Sequence, residues 1–331
     1  MAHFARDKVE LVAIDGCGRG LRALVDIAEG ETIISEPPLY AVHPEALSAP
    51  AFMRRPDVAR LFAVVEAGYD DDNYTPAADA ALQAVLDLHA AEGIASLGTG
   101  DASRFWALDD CFRRPAAGDA VEIAGLVSER GRPLNGLRGR VDGSDGERWA
   151  VATARGRKSV RGRNLKTAGG IFRTNAYFDG GSGYVFETLC RANHSCAPNC
   201  AKAMSDRGGR RVVDVTALRA VPRGEEITVS YLKLDAPGAA RRAYLREKYN
   251  FDCRCARCVL DPSTAIEPHP TAPELQSKNL RLNFFSKQGR STGEGDDRVR
   301  GPPGLNYLRR EAVPRTSVIL TCPGSAGGGA F

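Results

Sequence analysis

Val9, Leu11, Ala13 and Ile14 open an apolar run that ends at a glycine cluster, Gly16-Cys17-Gly18-Arg19-Gly20. Leu21-Arg22-Ala23-Leu24 follows, then the turn Ala28-Glu29-Gly30-Glu31 and the apolar stretch Thr32-Ile33-Ile34. Pro37-Pro38 closes this unit, which reads as strands and turns. The glycines do not make a dinucleotide fingerprint, because Leu21 stands where its third glycine belongs and no helical period follows. Residues 51–110 change period. Leu82, Val85, Leu86, Leu88 and His89 fall at helical spacing within 77–95, and Asp79 sits three residues past Pro76 as an early-turn acid. His89 belongs to that stripe and reads as a packed or surface histidine.

Residues 115–166 return to short strands. Val121-Glu122-Ile123 with Gly125-Leu126-Val127 make the first. Gly139-Arg140-Val141, Trp149-Ala150-Val151-Ala152, Lys158-Ser159-Val160-Arg161 and Asn164-Leu165 make the rest, with turns at Leu134-Asn135-Gly136 and Gly143-Ser144-Asp145-Gly146. Four or five strands at turn spacing predict a small barrel, and their order resembles SH3-like barrels. Further strands are expected at 170–172, 184–186, 212–215, 217–221 and 227–231, and a short basic helix at 239–249. Beyond residue 260 the chain drifts to Pro, Gly, Ser and Thr, and a disordered tail is expected. Cys322 in that tail is given no role.

The formal net charge is +4, but it is unevenly placed. Residues 112–166 carry thirteen Lys or Arg against six Asp or Glu, so the remainder is slightly acidic. Arg155, Arg157, Lys158, Arg161, Arg163 and Lys166 come within twelve residues and no acid interrupts them. Such a face is either a solvated arginine-rich surface or an electrostatic footprint for nucleic acid or an acidic protein. No apolar run reaches the ~20 residues of a membrane span, and Met1–Asp7 lacks a signal-peptide profile. A nuclear or cytoplasmic protein, not a secreted one, is therefore expected, with no membrane partner. In a reducing compartment a tight cysteine cluster points to metal rather than disulfides.

That cluster is Cys253-x-Cys255-x2-Cys258. A closed tetrahedral zinc site takes four ligands, so three local thiolates require a distant fourth. Cys196, Cys200 and Cys190 are the candidates. Arg254 and Arg257 would help offset the negative charge of a zinc held by four thiolates.

Three motifs together carry a resemblance. They are Asn193-His194-Ser195-Cys196-x-Pro198-Asn199, then Gly224-Glu225-Glu226-Ile227 with Tyr231, then Phe251 ahead of the three cysteines. In this order they resemble SET-domain protein-lysine methyltransferases, closest to the SMYD-type branch. Gly18-Arg19-Gly20-Leu21-Arg22-Ala23, Gly30-Glu31 and Glu36-Pro37 are similar to the first SET segment, and Thr174-Asn175-Ala176-Tyr177 to the stretch before the central motif. The resemblance implies that S-adenosylmethionine is contacted by Gly18, Arg19, Gly20, Asn175, Asn193, His194 and Phe251. It implies that Tyr231 is the catalytic tyrosine and that Tyr231, Tyr249 and Phe251 line the channel for the substrate lysine. It also implies that Cys196 is the fourth ligand of a structural Zn2+ with Cys253, Cys255 and Cys258. Only Cys17 and Cys111 precede residue 190, so a MYND finger is not expected, nor is the long helical C-terminal domain of many SMYD proteins. Cys190-Arg191-Ala192 replaces the usual apolar residues before the motif.

The expected fold is mainly β with α: a SET β-fold with a helical insert, an inserted SH3-like barrel and a four-cysteine zinc segment. The expected divisions are 9–48 and 167–235 for the two SET segments, 49–111 for the helical insert and 112–166 for the basic barrel. The zinc segment spans 236–260 and the tail 261–331. The function implied is S-adenosylmethionine-dependent methylation of a protein lysine, histone or non-histone. The alternative is a catalytically weak scaffold that binds partners through its basic barrel.

Overall fold

The structure is a computed structural model that describes residues 7–70, 73–113, 115–179 and 182–260. The expected tail, with Cys322, lies outside the described residues. Val9–Ile14 and Gly18–Ala23 form an antiparallel hairpin whose tip is set by Gly16 and Gly18, both at positive φ. Glu226–Val229 pairs antiparallel with Gly18–Ala23, and Asn193–His194 pairs in parallel with Glu226–Val229. Residues from both ends of the described chain thus share one sheet. A second sheet runs Cys200–Arg207, Arg210–Ala217, Thr32–Glu36, and a third runs Tyr177–Asp179, Ser182–Val185, Tyr40–Val42. Leu21, Ile33, Phe186, Val215, Ile227 and Val229 are buried in the core shared by the first two sheets.

The helical stretch folds as the period predicts. Pro56–Ala67 and Pro76–Ala95 pack together, and Thr75 caps the second by accepting from the Ala78 amide at 3.2 Å. Tyr40, Leu86, Phe105, Trp106 and Phe172 are buried in a second core between these helices and the third sheet. His89 packs there, its ring 5.2 Å from that of Phe52.

Residues 120–167 form a five-stranded antiparallel sheet: Gly156–Arg161, Arg148–Thr153, Arg138–Ser144, Ala120–Ile123, Leu165–Thr167. It has its own apolar cluster of Val121, Ile123, Val141, Val151, Val160 and Leu165. At its root Lys166 Nζ pairs with Glu122 at 3.0 Å and donates to the Trp106 carbonyl.

Three strand expectations need correction. Residues 170–172 lie in a helix, Ala168–Asn175, because Thr167 caps it and buries Ile171 and Phe172 together on one side. Residues 125–127 are loop; Gly125 adopts φ +73, and Asn135 ties Leu126 through both its amide N–H and its carbonyl. The 217–221 strand stops at Ala217, leaving a single bridge between Ile27 and Val221 ahead of Pro222.

Candidate active site

The site begins with the parallel pairing of Asn193 opposite Thr228 and His194 opposite Val229. Asn199, 2% exposed, fastens this crossing. Its amide donates to the Glu226 carbonyl at 2.7 Å and to Glu225 Oε1 at 3.0 Å, and its oxygen accepts from the Thr228 amide at 2.8 Å. A buried amide with donors and acceptor all used is costly to break, because its partners lose their bonds too. The Asn193 amide donates to Glu226 Oε1 at 2.7 Å. A Cβ on Gly20 would sit 2.6 Å from Asn193 Nδ2, so glycine there lets the motif lie against the hairpin. Glu36 supports the approach from behind. Buried at the end of its strand, it accepts from the amides of Thr188 and Leu189, which start the turn into the motif. Burial pushes its carboxyl up to about 7, against those amide bonds.

Tyr231 lies two residues past the end of its strand. Its amide donates to His194 Nδ1 at 3.0 Å, and its hydroxyl donates to the Ala192 carbonyl at 2.7 Å. The accepting Nδ1 requires a neutral imidazole with its proton on Nε2. Burial, helped by Lys202 and Arg241, pushes His194 down to about 4, consistent with that tautomer. Burial raises the Tyr231 phenol, so it stays protonated near neutral pH. Around it stand Tyr249, with ring centroids 4.8 Å apart, and His194 at 5.3 Å. Phe251 closes the group, 6.2 Å from His194 and 6.5 Å from Tyr249. Tyr177, which had no assigned role, packs against the same buried core as Tyr231 and Cys190.

Tyr231, Tyr249, Phe251 and His194 face a cleft of about 1180 Å³. Gly18, Arg19, Asn175, Asn193, His194, Tyr231, Tyr249 and Phe251 line it together. Gly20 does not; it lies under Asn193 instead. Two lining groups are already engaged. Arg19 forks onto the Asp109 carboxylate at 2.9 Å, and the Asn175 amide donates to Asp109 and Ile171 carbonyls at 2.8 and 2.7 Å. Arg191 also reaches the cleft wall, while Ala192 is buried.

At one end of the cleft Cys196, Cys253, Cys255 and Cys258 converge, all four sulfurs within 4.8 Å of one another. A tetrahedral zinc with ~2.3 Å Zn–S bonds sets its sulfurs about 3.8 Å apart. The Cys196–Cys258 pair, at 3.5 Å, is close to that edge. Burial raises the Cys196 and Cys253 thiols, while at Cys255 burial is outweighed by amide bonds from Cys258 and Cys196, which lower it. The donor set, its spacing and its burial therefore fit zinc. Cys190 is engaged elsewhere, donating to the Asn175 carbonyl at 3.1 Å, and Cys200 is buried in the main core. Of the two arginines expected near the thiols, Arg257 donates to the Cys196 and Leu234 carbonyls. Arg241, 2% exposed and given no role by the sequence, hydrogen-bonds the sulfurs of Cys196 and Cys258. Nothing local in the sequence singles it out; it is one basic residue of a basic helix.

The SET domain family matches residues 18–232, about two thirds of the chain. The chain belongs to the SET-domain family. The match runs from Gly18 past Tyr231, so it takes in the crossing and the 120–167 sheet, and it stops short of Tyr249, Phe251 and the three cysteines 253–258. Among similar proteins, histone-lysine N-methyltransferase ATXR2 of Arabidopsis thaliana is 40% identical over 74 residues, covering 22% of this chain and 15% of that protein. Protein-lysine N-trimethyltransferase SMYD5 of Mus musculus is 37% identical over 98 residues, 28% of this chain and 22% of that protein. A SET domain-containing protein of Dictyostelium discoideum is 30% identical over 92 residues, 27% and 22% of the two chains. The matches span about a fifth or less of the length of these relatives. SMYD-type proteins are thus among the relatives of this SET domain.

Proposed function

We propose that this SET domain is an S-adenosylmethionine-dependent protein-lysine N-methyltransferase. The supporting observation is the placement of Tyr231: its hydroxyl is aimed by the Ala192 carbonyl where an aromatic cluster meets the cleft. The cleft fits the cofactor in size and in chemistry. Asn193, His194 and the Gly18-Arg19 backbone form one wall, Phe251 another, and Glu226 offers an anionic partner to a cationic ligand. S-adenosylmethionine, when bound, supplies a methyl group activated on a sulfonium.

The chain's own residues do the rest. A lysine amine must be neutral to attack, and with a pKa of ~10.4 that costs about 4 kcal/mol near neutral pH. Walls made of Tyr231, Tyr249 and Phe251 disfavour the ammonium and reduce that cost. Tyr231 stays protonated, so it orients the amine and is no base; the lost proton leaves to water. Alignment of the two bound reactants supplies much of the acceleration. Cys196, Cys253, Cys255 and Cys258 would hold a structural zinc that keeps Phe251 beside His194.

In the same reading the 112–166 segment is an SH3-like barrel that takes the place of a MYND finger. Its excess of positive charge recruits an acidic protein or nucleic acid, in the nucleus or the cytoplasm. If the chain were a binding scaffold alone, that segment would carry its whole function. Calorimetric titration with S-adenosylmethionine, followed by labelled methyl transfer to mixed histones and a cell extract, tests the enzyme reading. Micromolar binding and Tyr231-dependent labelling are expected. Absence of any cofactor binding would overturn it.

A further inference from the structure

Lys202 lies on the Cys200–Arg207 strand and is half-buried. Its Nζ stands over the Tyr177 ring, 4.5 Å from the centroid, and donates to the carbonyl of Ser230, the residue before Tyr231. A ring face and a carbonyl hold this amine; a carboxylate does not. The groups around it come from four elements: Tyr177 from its edge strand, Cys190 from the 189–191 turn, His194 from the motif strand and Ser230 from the segment leading to Tyr231. Glu36 acts on Cys190 and Tyr177 from behind.

An ammonium is held well by an aromatic face with a carbonyl beside it. Tyr177 packs on the same core cluster as Tyr231, and Ser230 precedes Tyr231 in the chain, so the ring face and carbonyl that Lys202 uses adjoin the tyrosine. We propose that Lys202 is a resident amine in the acceptor-lysine subsite and a specificity-determining residue that an incoming lysine must displace. This rests on the methyltransferase reading. Two ammonium groups cannot share one small cage without repulsion, so the site favours acceptors that displace or neutralise the resident amine. Burial pulls the Lys202 amine down to about 8, so its charge, and with it the repulsive part of the competition, fades as pH rises through that value.

The test uses the full chain saturated with S-adenosylhomocysteine and n-butylamine as the probe of the acceptor subsite. In wild type, binding of n-butylamine at pH 7 is expected to be at least ~10-fold weaker than in Lys202→Met. Lys202→Arg keeps its charge at every pH and is expected to bind weakly throughout. The ratio of wild-type to Lys202→Arg affinity, in which the probe's own titration cancels, should rise between pH 7 and pH 9. Circular dichroism and S-adenosylhomocysteine affinity check that each variant folds. Should Lys202→Met fail to fold, the wild-type-to-arginine ratio still decides. Equal n-butylamine affinity in wild type and Lys202→Met, or a ratio flat with pH, would overturn the proposal. Failure of wild type to bind S-adenosylhomocysteine would instead strike the methyltransferase reading beneath it.

Discussion

Two regions of this chain are held together by different physics. The five-stranded sheet, residues 120–167, is a small apolar core dressed in arginines. Its six buried aliphatic side chains come from within it, and its charges pair locally, as Arg157 does with Asp142 and Arg138 with Glu122. The site end, residues 193–258, shares in the main apolar core and adds polar and sulfur fastenings: the Asn199 amide, the Tyr231 hydroxyl, the His194 ring and four thiols. A small apolar core tolerates loss in increments, one methyl group at a time. A polar crossing fails through a single atom, because each partner left behind is buried and unpaired. The functional end is therefore the brittle one.

The largest expected effect breaks the metal end. Cys196→Ser removes one of four thiols and should lower bound zinc from ~1 per chain to well under half, with loss of cofactor affinity, both read by metal analysis and calorimetry. Cys200→Ser is the control. Cys200 is 1% exposed in the main core and away from the thiols, so zinc should be retained while stability falls by about 1–3 kcal/mol from a buried hydroxyl.

Glu36→Gln comes next and probes the support behind the motif. The folded carboxyl is raised to about 7 from 4.5, so the folded state binds its proton more tightly than the unfolded chain does. That stability is present in full below about 4.5 and lost as pH rises through about 7. The group is 1% exposed, and the shift corresponds to roughly 3 kcal/mol. Urea midpoints at pH 5 and pH 8 should differ in wild type by more than in Glu36→Gln; an equal difference would sink the idea.

On the other side of the comparison, Val151→Ala in the core of the 120–167 sheet should cost about 2 kcal/mol of local stability. Hydrogen exchange should quicken in residues 120–167, with zinc content and cofactor affinity unchanged. If the site loosened as well, the two regions would be one cooperative unit and the contrast would fall. The smallest effect belongs to Arg157→Ala. Arg157 is 68% exposed and its partner Asp142 33%, so global stability should move by less than ~0.5 kcal/mol.

The sequence made the chemistry easier to read than the architecture. Cys253, Cys255 and Cys258 are legible because metal ligation constrains spacing, and Asn193, His194 and Tyr231 because their order is unusual. Ile171 and Phe172 were not, since a three-residue apolar run suits a strand and a buried helix equally; the cap from Thr167 and the packing partners decide. Arg241 and Lys202 carry no local signal, and the motifs holding Asn199 and Tyr177 do not announce the contacts those two make. Each acts through a contact with a chain segment 25 or more residues away, in the crossing, the aromatic cluster or the thiol site. Asn199 stood inside a recognised motif, yet its work of clamping Glu225, Glu226 and Thr228 appears only when the two strands are brought side by side.

The central claim is that Tyr231 orients the acceptor amine and does not hold the cofactor. Tyr231→Phe keeps the ring packed against Tyr249 and His194 and removes only the hydroxyl that meets Ala192. Side-by-side calorimetry with S-adenosylmethionine and labelled transfer to histones or extract measures both parts. Cofactor affinity within about threefold of wild type, with transfer reduced at least ~100-fold, is the predicted result. Unchanged transfer in Tyr231→Phe would contradict the account.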